Sequence, residues 1–164
     1  CNGWARDNLR GEAEARGVGP ERLLLAPRVP VEQHLARQQL ADLFLDTLPY
    51  NAHTTTSDAL WAGLPVLTCS GDTFAARVAG SLLQAAGLPE LVTHSLEEYE
   101  ALALRLATQP EALRAVRVKL EGVRASRLFD TLRFARHLEQ AYRAMWQRHA
   151  AGKAPQAMDI PAVS

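Results

Sequence analysis

The densest run of chemically useful side chains is Asn51-Ala52-His53-Thr54-Thr55-Thr56-Ser57-Asp58. It follows a buried-type strand pattern, ADLFLD, and opens a segment of helical character, residues 53–62, that stops before Gly63-Leu64-Pro65. In a parallel sheet such a run lies at the carboxyl edge of a strand, where open α/β folds bind ligands. A helix beginning near Thr54 presents unpaired backbone N–H groups and a partial positive charge of about half a unit. An anionic pyrophosphate suits that position, with His53 and the Thr hydroxyls as further donors. Asp58, one turn further on, would repel a phosphate but can accept bonds from ribose hydroxyls. The same residues would also serve as a plain helix cap, and spacing alone does not separate the two readings. Three consecutive Thr are poor helix formers, which makes an idle cap costly.

A second constellation is His34 and Arg37, three apart on a segment that follows Pro30 and therefore on one helix face. Imidazole offers a flat surface to a base, and guanidinium a fork of donors to its carbonyls. Taken alone, the pair reads as a solvated helix face. Gly71-Asp72-Thr73 is a second loop-to-helix junction, and Arg77 beyond it reads as a structural ion-pair partner rather than a ligand-facing cation. Asp42 and Asp46 bracket a strand and read as turn and edge residues. There is no P-loop, GxGxxG, HExxH or CxxC, so kinase-like, dinucleotide and zinc chemistries lack support, and no bound metal is expected.

The elements that must position these residues follow from periodicity. Short apolar runs at Leu23-Leu24-Leu25, Leu43-Phe44-Leu45, Val66-Leu67-Thr68 and Leu91-Val92 are bounded by strand punctuation. Helical segments lie between them at residues 31–39, 53–62 and 73–86, the last with Phe74, Val78, Leu82 and Ala85 on one face. The alternation predicts an α/β fold: a parallel, Rossmann-like sheet with flanking helices. After Val92 only helices are expected, marked by Leu102 and Leu106, by Leu113, Val116, Leu120 and Val123, and by Ala135, Leu138, Tyr142 and Met145. These stripes read as core-facing. Residues 1–150 form one lobe, incomplete at its amino end because four strands fall short of the usual five or six, and 151–164 a flexible tail.

The 164 residues amount to about one domain. Hydrophobic residues make up 48% and charged ones 22%, which argues against disorder. Eighteen basic residues balance eighteen acidic ones, and without a basic excess nucleic acid is not an expected partner. No apolar run reaches the roughly 18–20 residues that span a bilayer, so no membrane partner is expected either. Two cysteines fit a reducing compartment and a cytoplasmic location. A start at Cys1, without an initiator Met, reads as a piece cut from a longer chain; a mature lipoprotein start is the alternative.

The runs from His34 to Thr47, Pro49 to Thr55, Ser57 to Val66 and Gly71 to Ser81 together closely resemble the catalytic region of the protein O-linked N-acetylglucosaminyltransferases, and the related plant-type O-fucosyltransferases share much of the pattern. The resemblance extends from about Arg22 to Met145, and its N-A-H-T-T-x-S-D-A-L-W-x-G-x-P stretch is highly specific. It implies the donor-binding lobe of a two-lobed, inverting, metal-independent glycosyltransferase moving N-acetylglucosamine from UDP-GlcNAc to Ser or Thr hydroxyls of proteins. By the same resemblance His53, Thr54 and Thr55 bind the diphosphate, Asp58 the ribose, His34 and Arg37 the uracil, and the backbone at Val29 the base edge. It also implies partners in the same parent chain: an upstream amino-terminal lobe with the catalytic residues, and tetratricopeptide repeats. This stretch by itself would then not catalyse. Alternatives sharing the fold are an O-fucosyltransferase or other UDP- or GDP-sugar transferase, and a non-catalytic scaffold. Departures from the family pattern are Val31 in place of a common Lys, Cys69-Ser70 before Gly71 where Pro-Gly is usual, and Asp72 in place of Glu.

Overall fold

In the computed structural model, which describes residues 3–162, the apolar runs and the polar segments between them separate into strands and helices. The chain divides into two units, Cys1–His34 and Leu35–Ser164; Cys1 lies outside the described residues. In the first unit, α1 (Gly3–Glu14) buries no residue, and a single 3₁₀ turn, Pro20–Arg22, follows it. The strand expected at Leu23-Leu24-Leu25 does not form. Leu23 has an extended backbone, but its N–H turns back to the Pro20 carbonyl, and Leu24 is 87% exposed. A strand exists only in a ladder, and among the described residues of this unit no second extended segment pairs with this one. The unit ends in the first half of α2 (Val31–Gln38), which starts behind Pro30 with His34 N–H donating to the Pro30 carbonyl.

The second unit holds a three-stranded parallel sheet in the order β1 (Phe44–Leu45), β2 (Val66–Cys69), β3 (Val92–Thr93). The three later apolar runs thus supply the strands. Phe44 is registered with Val66, and Thr68 with Val92. All four residues of β2 are buried, as a central parallel strand covered on both faces requires. α3 (Thr54–Ala62) crosses from β1 to β2, and α4 (Val78–Ala85) from β2 to β3. α5 (Leu96–Thr108), α6 (Pro110–Leu120) and α7 (Thr131–Ala150) follow. The core gathers Leu60, Leu64, Val66, Leu83, Leu88, Leu91, Leu106, Val116 and Leu120 from helices and sheet alike. Residues 153–162 form neither helix nor strand.

Both ends of α3 carry local signals. His53 occupies the amino-terminal cap position, and Gly63 closes the helix at φ +84° with its N–H reaching the Ala59 and Leu60 carbonyls. A Cβ added at Gly63 meets nothing within 4 Å, so backbone strain alone penalises a side chain there. Gly63→Ala is expected to cost roughly 1–2 kcal/mol by urea unfolding; an unchanged midpoint would contradict the left-handed closure. Beyond the helix end, the Arg124 guanidinium stacks 4.9 Å from the Trp61 ring and donates through Nε to the Trp61 carbonyl, while Phe129 meets the same ring edge-on.

Two helical expectations need correction. α4 begins at Val78, not 73, because Thr73 diverts the chain into turns. The Ala76 N–H bonds both the Thr73 carbonyl and its Oγ1, Arg77 N–H bonds the Phe74 carbonyl, and Gly71 N–H bonds that of Ala76. Phe74 therefore leaves the helical stripe and stands 75% exposed. Arg77 serves as the residue capping α4, its carbonyl accepting from Ser81 N–H. The stripe of α7 is not core-facing either: that helix buries no residue, and Tyr142 and Met145 are more than half exposed. An amphipathic pattern marks a face that can be covered; it does not provide the cover.

Candidate functional site

Beyond the carboxyl end of β1 the chain runs through Asp46 and a loop of six residues, Thr47 to Ala52, into α3. Asp46, read from sequence as an edge residue, is instead buried at 5% exposure. Its Oδ1 accepts from the N–H groups of Thr47 (2.8 Å) and Ala52 (2.7 Å), and its Oδ2 from the Thr68 hydroxyl (2.7 Å). Asn51, 1% exposed, donates from Nδ2 to the same Thr68 oxygen (2.6 Å) and to the Cys69 carbonyl (3.0 Å). The Tyr99 hydroxyl on α5 donates to the Asp46 carbonyl at 2.8 Å. Burial, then the nearby charges of Asp46 and Cys69, pushes the Tyr99 phenol up to about 12, so it remains a donor across the neutral range. Asp42, the other acid bracketing β1, is exposed and pairs with Arg117 at 2.7 Å.

The loop delivers His53 between two aromatic rings. Tyr50 stacks on the imidazole at 5.1 Å with the planes 19° apart, and Phe74 approaches edge-on at 6.0 Å. His53 Nε2 lies 3.4 Å from the Ala75 carbonyl oxygen, and the His53 side chain makes no capping bond to α3. The three threonines that follow divide by helical phase. Thr54 and Thr55 are exposed, whereas Thr56 is fully buried with its hydroxyl donating to the Ala52 carbonyl at 3.2 Å. Thr56 and Ser57 N–H groups both turn to the His53 carbonyl, which leaves the amides of Thr54 and Thr55 as the outward donors of the first turn. Asp46, Thr47, Tyr50, Asn51, His53, Thr54 and Thr55 line a cavity of about 490 Å³ here. An acceptor-rich, doubly negative group placed in it would meet backbone amides, two hydroxyls and an imidazole.

The matching family is Glycosyl transferase family 41, over residues 4–138. The chain belongs to that family. It is 43% identical to a probable UDP-N-acetylglucosamine–peptide N-acetylglucosaminyltransferase (SEC) of Arabidopsis thaliana over 90% of its own length, and 38% identical to a UDP-N-acetylglucosamine–peptide N-acetylglucosaminyltransferase of Caenorhabditis elegans over 89%. Among solved structures it superposes on a mutant O-GlcNAc transferase of Thermobaculum terrenum with a TM-score of 0.82 and 38% identity, covering 93% of this chain and 30% of that one. The chain spans only 15% and 13% of the two curated relatives. The parallel sheet with flanking helices is thus a Rossmann-like glycosyltransferase lobe.

In this family 41 chain the residues singled out from sequence are placed unequally. His53, Thr54 and Thr55 share the cavity. Asp58 sits one turn along α3, half-buried and engaged by neighbouring groups. Arg37 lies on the second-unit part of α2, half-buried. Val29 and His34, both half-buried, belong to the first unit. Asp46, Tyr50 and Phe74 were not among the expected site residues. Two signals pointed to Asp46: an acid directly after a strand, and a Thr inside the otherwise apolar VLTC run next to it. Among the described residues no three His, Cys, Asp or Glu side chains gather as a metal would need, and no helix is long and apolar enough to cross a membrane.

Proposed function

We propose that this chain supplies the nucleotide-diphosphate end of the donor site of a peptide N-acetylglucosaminyltransferase, with UDP-GlcNAc as donor and a protein Ser or Thr hydroxyl as acceptor. The observation that carries the reading is the exposed Thr54–Thr55 pair at the amino end of α3, opening onto a cavity in a family 41 chain. The activity for which the relatives are named supports the choice of sugar and acceptor. The acceptor oxygen attacks the anomeric carbon from the face opposite the diphosphate, the carbon–oxygen bond to phosphate breaks with its electron pair passing to the leaving group, and the configuration inverts. The acceptor proton leaves to a base supplied from outside this chain. What this chain contributes is a fixed set of donors at the place where negative charge grows: the Thr54 and Thr55 amides and hydroxyls, and His53. Asp58 accepts from the ribose hydroxyls, and Arg37 donates to the uracil. Upstream partners in the parent chain are the amino-terminal lobe and helical repeats that present the acceptor. The buried free thiol of Cys69 favours a cytoplasmic setting.

The ribose role is open to direct test. Asp58→Ala is expected to weaken UDP binding by about 1–3 kcal/mol, the loss associated with hydrogen bonds to a charged group. Calorimetry on the full-length protein measures this, and equal affinity for both proteins refutes the assignment. Radiolabelled transfer from UDP-GlcNAc to a Ser/Thr peptide, set beside GDP-fucose under the same conditions, tests the donor; transfer from GDP-fucose alone would overturn it.

A further inference from the structure

The outward amides of α3 are useful only if the chain arrives at them in one conformation, and a single buried acid holds that approach. We propose that Asp46 is a positioning residue for diphosphate binding: its carboxylate clamps both ends of the Thr47–Ala52 loop to the central strand and so sets the direction of the Thr54 and Thr55 amides. This role rests on the diphosphate reading of the cavity.

One oxygen of Asp46 accepts from the first amide of the loop, Thr47, and the last, Ala52, at 2.8 and 2.7 Å. The other takes the Thr68 hydroxyl at 2.7 Å, which ties the clamp to β2. Asn51, inside the loop, reaches the same Thr68 oxygen and the Cys69 carbonyl, and its own N–H bonds the Ala75 carbonyl at 3.3 Å. Tyr99 on α5 holds the Asp46 backbone through its carbonyl. From Ala52 only His53 separates the clamped backbone from Thr54. A free six-residue loop would sample many arrivals, each misdirecting the amides, and ordering it at the moment of binding would subtract from affinity. Bonds to an ionised carboxylate are stronger than those between neutral groups, and one oxygen can take two N–H donors, which suits an acid to this place. A negative group on the wall of an anion site is an electrostatic liability. Here both of its oxygens are taken by donors from its own loop and from β2, which limits that penalty while retaining the clamp.

The test compares UDP with uridine, since the clamp acts on phosphates and not on the base. Affinities for both are measured by calorimetry on the full-length protein and on Asp46→Ala, Asp46→Asn and Thr68→Val, each well below its own melting midpoint. The wild type is expected to prefer UDP. Asp46→Ala should lose about tenfold or more of that preference with uridine affinity retained, since misplacement of about 1 Å suffices for such losses. Asp46→Asn should restore part of it, because its Oδ1 still accepts both loop amides, although its NH₂ takes the place of the acceptor of the Thr68 hydroxyl. Thr68→Val, nearly constant in shape, should fall between at about three- to tenfold and gives the same reading if the alanine variant does not melt cooperatively. Full UDP preference in Asp46→Ala, or in Thr68→Val where the alanine variant is unfolded, overturns the positioning role. So does an asparagine variant as impaired as alanine. A wild type with no preference for UDP over uridine instead overturns the diphosphate reading itself, and with it this inference.

Discussion

Replacing His53 with alanine in the full-length protein is expected to lower turnover at saturating donor by about 10²–10³-fold, the loss typical of removing one preorganised donor from a developing oxyanion. The fold itself asks little of the ring. Its side chain caps nothing on α3, and its polar contact among the described residues, to the Ala75 carbonyl, is long at 3.4 Å. The packing partners Tyr50 and Phe74 are 66% and 75% exposed, so the stacking that the substitution removes lies mostly in solvent. Aromatic pairs contribute about 0.5–1.5 kcal/mol each beyond the area they bury, and with rings this exposed the stability change should stay small. Turnover and urea midpoint should therefore separate: a large loss in the first, a small one in the second. Steady-state kinetics with the donor held saturating decides it, and an undiminished turnover number would remove His53 from the leaving-group site.

What could be read ahead of the structure depends on whether the deciding partner is near in sequence. α3 was legible to within a residue because its signals are local, a polar cap at one end and Gly63 at the other. The existence and parallel sense of β1, β2 and β3 followed from three apolar runs separated by helical segments. Leu23-Leu24-Leu25 looks like a strand by the same criterion and fails because a strand needs a neighbour, which no local pattern specifies. The first residues of α4 depart from the helical period because the side chain of Thr73 offers the backbone a competing bond at the point where that period suggests a turn of helix. Asp46 escapes a local reading for a related reason. Its loop partners are close in sequence, but the burial that gives them meaning comes from Thr68, 22 residues away. The rings on either side of His53 come from Tyr50 and Phe74, far apart in the chain and both exposed, so no periodicity links them.

The inner face of α3 permits a prediction opposite in kind. Thr56, Ala59 and Leu60 recur at helical spacing and are all fully buried, while Thr54 and Thr55 face out. Leu60 enters the cluster formed with Leu64, Val66 and Leu83, so its truncation loosens the packing of several elements at once. Leu60→Ala is expected to cost about 2–5 kcal/mol in urea unfolding, the range for emptying a leucine-sized space in a close-packed core. A loss of that size is a large fraction of the roughly 5–15 kcal/mol that holds a typical domain together. Thr54 and Thr55 lie on the exposed side of the helix, away from the core cluster that Leu60 enters, and the effects of separated residues add. UDP affinity per folded molecule should therefore be unchanged where the His53 variant loses turnover and keeps its fold. Stability unaltered by Leu60→Ala would mean that α3 is not anchored through this face, and the placement of its first turn against the cavity would then need another support.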